Sequence, residues 1–263
     1  MEGARITIIG CGNLGESILK GLIAKETIPS EQLVVTKRNP ENLKHYEKHG
    51  VRVLSDNIEA IKSADLILLA LKPYNVLGVL KELAPAINPD RQVVVSLATG
   101  VSIEALQKNM QNNTPIYRAM PNTAADVGAS MTCIASNNTS HDALVENCFN
   151  TIGESIRVDE NLMDAATVLG ACGVAFALRF IRGMVQGGIQ IGFDSNTASA
   201  IVNQTVKGAV ELLLQGHQHP EYEIDKVTTP KGCTISGLNE MEHNGFSSAL
   251  IKGIVTSFEA IDS

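Results

Sequence analysis

Residues 5–20 read RITIIGCGNLGESILK, and this stretch decides the architecture of the chain. After Arg5 comes the apolar, β-branched run Ile6-Thr7-Ile8-Ile9, then Gly10-Cys11-Gly12-Asn13-Leu14-Gly15, then apolar residues at helical spacing. A strand that ends in a glycine turn and opens a helix places that helix start at the carboxyl edge of a sheet, where backbone N–H groups and the helix dipole favour an anion. The three glycines have separate tasks: Gly10 makes the tight turn, Gly12 lets the backbone approach a pyrophosphate, and Gly15 allows close helix–strand packing. A dinucleotide is the expected ligand of Gly10, Cys11, Gly12, Asn13, Leu14 and Gly15; the plainer reading is a bare structural turn.

Outward from this unit, short apolar runs at Leu33–Thr36, Leu66–Leu71, Val93–Leu97, Ile116–Met120 and Met131–Ala135 alternate with helix-period segments at 13–25, 40–49, 57–62, 75–83 and 103–109. Such alternation predicts parallel strands joined by helical crossovers, a doubly wound α/β domain over residues 1–160. Past residue 160 the strand pattern ends, and Leu162–Gly192, Thr197–Gln215 and Ile235–Ala260 carry apolar residues at helical spacing, predicting an all-helical domain over residues 161–263. Its small residues, among them Ala165, Ala166, Gly170, Ala171, Gly173, Ala175 and Ala177, let helices approach closely but give each little to bury alone. A homo-oligomer through this region is expected.

Bulk composition narrows the partners. The 263 residues can fill one large core or two ordinary ones, and 44% hydrophobic with 19% charged residues is a globular composition. A formal net charge of −7, with no basic stripe, argues against nucleic acid. The chain moves from Met1 directly into its first strand, without the pattern of an export signal. The uncharged run from Ala165 to Leu178 has 14 residues, too short to span a bilayer, and reads as a buried helix. Cys11, Cys133, Cys148, Cys172 and Cys233 are odd in number and contain no C-x-x-C pair, which suits reduced thiols in the cytoplasm. No metal site is expected: His45 with His49 and His217 with His219 read as solvated surface pairs.

The second strand ends in Thr36-Lys37-Arg38, where an NAD-specific site would carry an acidic side chain for the ribose 2′-hydroxyl. A hydroxyl followed by two cations suits a 2′-phosphate, so NADPH is favoured while NADH stays possible; the alternative is that both cations are merely solvated. Ala70-Leu71-Lys72-Pro73 closes a later strand on the same edge, with Lys72 either a cofactor contact or a surface cation. Ala98-Thr99-Gly100 and Met120-Pro121-Asn122-Thr123 end further strands there, and their small or amide side chains suit the nicotinamide end.

Residues 228–243, TTPKGCTISGLNEMEH, put a second anion site at a helix start. Gly232, Cys233 and Thr234 follow Pro230, and an apolar helical pattern begins at Ile235 and Leu238. Free N–H groups there would hold a carboxylate without an arginine.

With the N-terminal glycines, Lys72-Pro73, Met120-Pro121-Asn122-Thr123 and Thr229–Leu238 in this order, the chain resembles pyrroline-5-carboxylate reductase nearly end to end. The resemblance implies a Rossmann domain followed by a helical domain that interlocks in a dimer, and reduction of a cyclic imine to L-proline by NAD(P)H. By position it places the substrate loop at Gly232, Cys233 and Thr234, with the Thr234 hydroxyl near the imine nitrogen and Thr229 flanking the pocket. It also assigns Asn57 to the adenosine part of the cofactor, and Asn122 and Thr123 to the stretch beside it. Two departures stand out: Gly170-Ala171-Cys172-Gly173-Val174-Ala175-Phe176 where the family usually reads Ser-Gly-Ser-Gly-Pro-Ala-Tyr, and Lys231 where a loop glycine is common. Competing readings are another NADPH-dependent imine or 3-hydroxyacid oxidoreductase of this architecture, and a non-catalytic NADP(H)-binding sensor.

Overall fold

The computed structural model describes residues 3–110 and 113–261. Eight strands form one sheet in the order β3-β2-β1-β4-β5-β6-β7-β8: β1 (Ile6–Ile9), β2 (Leu33–Thr36), β3 (Arg52–Leu54), β4 (Leu66–Leu69), β5 (Val93–Ser96), β6 (Ile116–Met120), β7 (Ser130–Ser136) and β8 (Gly153–Arg157). Helices α1 (Asn13–Lys25), α2 (Asn57–Ile61), α3 (Pro73–Leu83), α4 (Ile103–Gln107) and α5 (Asp142–Thr151) lie between them. Side chains alternate across the sheet, so Ile8, Val35, Leu68 and Val95 enter one buried cluster while Ile9, Val34, Ile67 and Val94 enter the other. Burial on both faces is why these strands read as unbroken apolar runs.

The doubly wound reading holds with three corrections. First, β7 runs antiparallel to β6, against the expectation of parallel strands. Only residues 121–129 separate them, and a parallel crossover needs about a dozen or more. Second, β3 and β8 lie at the two sheet edges and carry weak strand patterns, β3 because it is only 3 residues long and β8 because polar and charged residues interrupt it, as in Gly153-Glu154-Ser155-Ile156-Arg157. Third, residues 41–49 are 3₁₀ rather than α-helical.

The chain divides into two compact units, one reaching Val174 and rejoined from Phe258, the other spanning Ala175–Ser257. The first therefore keeps α6 (Met163–Ala166) and a π-helical stretch at Thr167–Cys172 that lie beyond the residue-160 transition. The second contains most of α7 (Gly173–Gln190), α8 (Ser195–Gly216), α9 (Pro220–Val227), α10 (Cys233–His243) and most of α11 (Phe246–Glu259). The segment expected as one helix over 235–260 is broken at Gly245, which has φ +77°. The buried apolar centre of this unit is small: Val185 of α7 against Ala198 and Val202 of α8. The run 165–178 is not the buried helix expected; Leu169 and Leu178 are exposed. Residues 160–190 are helical and contain an 18-residue window of mean hydropathy 1.7, long and apolar enough to cross a membrane by length and composition, although Arg179 and Arg182 sit within the helix.

Candidate active site

A cavity of about 760 Å³ opens at the carboxyl ends of β1, β2, β4, β5 and β6, the edge where doubly wound sheets hold ligands. At its floor is the start of α1. Gly10 N–H donates to the Thr36 carbonyl at 3.1 Å, Cys11 N–H to the same oxygen at 2.8 Å, and Gly12 N–H to Gly10 O at 2.7 Å. The first helical bond runs from Glu16 N–H to Gly12 O, and no side chain caps the helix. The N–H groups of Asn13 and Leu14 therefore face the cavity end without a helical partner, and the dipole of a 13-residue helix adds positive potential there.

The glycines act as their positions predict. Gly10 has φ +83°, and a Cβ there would lie 2.3 Å from Leu71 Cδ2. A Cβ on Gly12 would meet only Gly10 O, at 3.9 Å, so the space a side chain would fill is the cavity itself. That cradle beside N–H groups without helical partners fits a pyrophosphate.

Of the expected cofactor residues, Gly10, Gly12, Asn13, Leu14, Thr36, Lys37, Arg38, Asn57, Ala70, Lys72, Pro73, Thr99, Asn122 and Thr123 line this cavity. Cys11, Gly15, Ala98 and Gly100 do not. Cys11 is fully buried in the core, where burial, with Glu16 adding to it, pushes its thiol up to about 12. A Cβ on Gly15 would lie 3.2 Å from both Ala70 Cβ and Ile8 Cγ2, the mark of a packing glycine. Lys37, Arg38 and Lys72 form no ion pair with an acidic side chain among the described residues, leaving three cations for an anionic ligand. Lys72 precedes Pro73, the first residue of α3, where a missing N–H costs nothing. The Thr36 hydroxyl, however, points inward and is already bonded within the protein.

Ile9, Leu71, Asn75, Val79, Leu97, Met120, Pro121 and Ala171 complete the lining. Leu71, Met120 and Pro121 lie inside the expected stretches, and Ile9, Asn75 and Leu97 extend them by a residue or two. Ala171 could not be found that way: it comes from the π-helical stretch 50 residues further on, brought to the cavity by tertiary contacts. The Asn122 carboxamide donates to Gly170 O at 3.0 Å and accepts from Ala124 N–H at 2.9 Å. Beneath, Arg118 on β6 is buried and pairs with Glu160 at 3.4 Å and Asp164 at 3.2 Å, while Glu160 also accepts from Ile103 N–H. These bonds fasten the segment that carries Ala171 to the sheet.

In the helical unit, Thr229-Pro230-Lys231-Gly232 forms a tight turn closed by Gly232 N–H to Thr229 O at 2.9 Å. Proline second and a positive φ third mark type II geometry. Lys231, standing where a glycine was expected, has φ +62°, so the left-handed turn persists at a strain of about 1–2 kcal/mol. The turn leads into α10, whose N-cap Gly232 makes no side-chain bond. The N–H groups of Cys233 and Thr234 lie in its first turn, and both side chains are exposed.

A family model described as pyrroline-5-carboxylate reductase dimerisation matches residues 160–262, and one described as NADP oxidoreductase, coenzyme F420-dependent, matches residues 5–100. Pyrroline-5-carboxylate reductase 1 of Dictyostelium discoideum is 43% identical over 96% of this chain; the chain spans only about half, 48%, of that relative. Pyrroline-5-carboxylate reductase 2 of the same organism is 40% identical, covering 97% of this chain and 91% of the relative. The Synechocystis enzyme is 37% identical with 97% and 96% covered. Among solved structures, Plasmodium falciparum pyrroline carboxylate reductase with NADP bound superposes with TM-score 0.90 at 26% identity, covering 99% of this chain and 98% of that one. The Coxiella burnetii pyrroline-5-carboxylate reductase gives 0.88 at 29%, covering 98% and 97%. With the glycine cradle, the unpaired cations and the Thr229–Thr234 turn each in its expected place along the sequence, this chain belongs to the pyrroline-5-carboxylate reductase family.

Proposed function

We propose that the chain reduces 1-pyrroline-5-carboxylate to L-proline with NADPH, NADH being the weaker donor. The observation that carries this reading is the uncapped start of α10 behind the Thr229–Gly232 turn, in a chain whose relatives are named for this reaction. The cofactor site is assigned to Gly10, Gly12, Asn13, Leu14, Thr36, Lys37, Arg38, Asn57, Ala70, Lys72, Pro73, Thr99, Asn122 and Thr123, with Cys11, Gly15, Ala98 and Gly100 supporting it from behind. Substrate binding is assigned to Thr229, Gly232, Cys233 and Thr234. We divide the work at residue 160: 1–160 bind dinucleotide, and 161–263 bind substrate and dimerise.

The reduced nicotinamide supplies the hydride. The protein's part is placement. A cyclic imine protonated on nitrogen is already electrophilic, so when hydride reaches its carbon the ring nitrogen keeps its proton and becomes the amine. No strong acid is required, in keeping with a site assembled from amides, hydroxyls and lysines. The N–H groups of Cys233 and Thr234 hold the substrate carboxylate, and the Thr234 hydroxyl hydrogen-bonds the ring nitrogen. Rate then comes from proximity and preorganised dipoles. Cys233 acts by its backbone, because hydride transfer needs no nucleophile.

The exposed apolar side chains of the helical unit, including Phe193, Ile201, Leu212, Ile251 and Val255, support a homo-oligomer through the segment that matches the dimerisation family. We assign the enzyme to the cytoplasm, without nucleic-acid or membrane partners; relatives in a cyanobacterium and an archaeon support a soluble enzyme. A 3-hydroxyacid dehydrogenase would carry a proton-donating lysine on the helix after the first domain, and residues 162–192 contain none.

The test follows NADPH absorbance with the cyclic imine, and with hydroxyacid and keto-acid controls. Thr234→Ala is expected to lower kcat/KM about tenfold or more, roughly 1.4 kcal/mol of transition-state stabilisation, with NADPH affinity unchanged. Full turnover in that variant removes Thr234 from the mechanism; no turnover of the imine by the unaltered protein removes the reading.

A further inference from the structure

Thr36 ends β2, paired with Ile9 of β1 on one side and Leu54 of β3 on the other, and it is 1% exposed. Its carbonyl holds Gly10 and Cys11, as described above. Its hydroxyl accepts from Gly10 N–H at 3.3 Å and donates to Asn57 Oδ1 at 2.7 Å. Asn57 is the first residue of α2, whose start is fixed by Asp56 accepting from Ile58 N–H at 2.8 Å and Glu59 N–H at 3.0 Å. One buried residue thus connects the glycine turn to the opposite rim of the cavity.

We propose that Thr36 is a positioning residue for cofactor choice: its hydroxyl sets the polarity of the Asn57 carboxamide so that the amino group, not the oxygen, serves the ribose end of the dinucleotide. This rests on the dinucleotide reading given above and deepens it. A hydroxyl has one proton. With a Thr36 lone pair facing Gly10 N–H, that proton goes to Asn57 Oδ1, and the carboxamide's two N–H donors are left for the cavity. Turning the amide over would put Nδ2 against the hydroxyl and leave the proton of a side chain that is 1% exposed without an acceptor, a condition buried polar groups avoid.

Of Thr36, Lys37, Arg38 and Asn57, the groups left for the cavity are then donors. Lys37 and Arg38 have no acceptor atoms, and the Asn57 oxygen and the Thr36 hydroxyl are bonded to each other. A phosphate monoester offers acceptors only and matches such a rim. A ribose 2′-hydroxyl carries a proton for which these four side chains leave no acceptor turned to the cavity. The discrimination therefore comes from hydrogen-bond polarity as well as charge, and its origin is a residue whose hydroxyl is bonded within the protein.

Calorimetric titration with 2′,5′-ADP and with 5′-AMP tests this without turnover. The unaltered protein is expected to favour 2′,5′-ADP. Thr36→Val, which keeps the shape and removes the proton, is expected to narrow that preference about tenfold, while Thr36→Ser retains it. Asn57→Asp, an exchange on a half-buried side chain, presents an acceptor instead and is expected to shift the preference toward 5′-AMP; it carries the test should Thr36→Val fail to fold. A preference that survives in both Thr36→Val and Asn57→Asp overturns the inference and leaves the dinucleotide reading standing. Equal weakening of both nucleotides in Thr36→Val, the mark of a structural role alone, also overturns it. Binding of neither nucleotide by the unaltered protein overturns the dinucleotide reading, and the inference with it.

Discussion

Asn122, just past the end of β6, and Gly170, in the π-helical stretch, are joined by a 3.0 Å hydrogen bond from the Asn122 carboxamide to the Gly170 carbonyl, although 48 residues separate them in sequence. The same side chain caps the turn at Ala124. Removing it leaves a part-buried carbonyl and a part-buried N–H without this partner. Asn122→Ala is expected to cost about 1–3 kcal/mol, lowering the melting temperature by about 2–4 °C per kcal/mol, and to weaken NADPH binding because Ala171 loses its anchor. Thermal unfolding with and without NADPH measures both; an unchanged midpoint would show that the bond is dispensable.

Gly10 and Gly12 should fail differently when given a methyl group. Gly10→Ala meets Leu71 and a left-handed φ of +83°, so stability is expected to fall by roughly 2 kcal/mol or more. Gly12 has φ −89° and open space around its Cα, so Gly12→Ala should fold as well as the parent or slightly better. Its methyl group enters the cradle, and the NADPH dissociation constant is expected to rise about tenfold or more. Denaturant titration paired with nucleotide fluorescence separates the two effects.

Arg118 is 4% exposed, whereas its partners Glu160 and Asp164 are about a third exposed. Loss of either acid leaves the guanidinium with the other, and the cost is expected to stay near 1 kcal/mol. Arg118→Ala leaves two carboxylates facing each other and a hole in the sheet face, expected to cost about 3 kcal/mol. Urea unfolding of Arg118→Ala, Glu160→Gln and Asp164→Asn ranks them; equal losses in all three would contradict the asymmetry.

Burial pushes the thiols of Cys11 and Cys148 up to about 12, with Glu16 adding to the effect at Cys11. Both remain neutral in the folded protein at pH 8, so iodoacetamide is expected to spare them until the chain is denatured. Raised folded-state values mean that the unfolded chain releases these protons first. Stability is therefore fully present below about pH 9 and falls as the pH rises toward 12. Mass mapping of alkylated cysteines and denaturation midpoints at pH 7, 9 and 10.5 check the two statements.

The sheet and the glycine turn were legible because their causes are local: a two-sided buried strand must be apolar throughout, and a helix start that approaches a ligand needs glycine. The antiparallel β7 was legible only in the shortness of residues 121–129, a length signal easily lost beside the apolar pattern of Met131–Ala135. Ala171 in the cavity wall, the Arg118 clamp and the inward turn of the Thr36 hydroxyl depend on residues brought together by folding, and no periodicity records them. The run 165–178 misled for a related reason. Apolar composition says that a surface is covered in the working molecule, not that one chain covers it.

The bonds from Gly10 and Cys11 to the Thr36 carbonyl are made by the protein's own backbone. The seat is completed by folding, so an arriving dinucleotide spends no free energy ordering the loop that receives it. Capture there is set by diffusion and the field of the unpaired lysines and Arg38, and escape by how fast the contacts at its two ends let go.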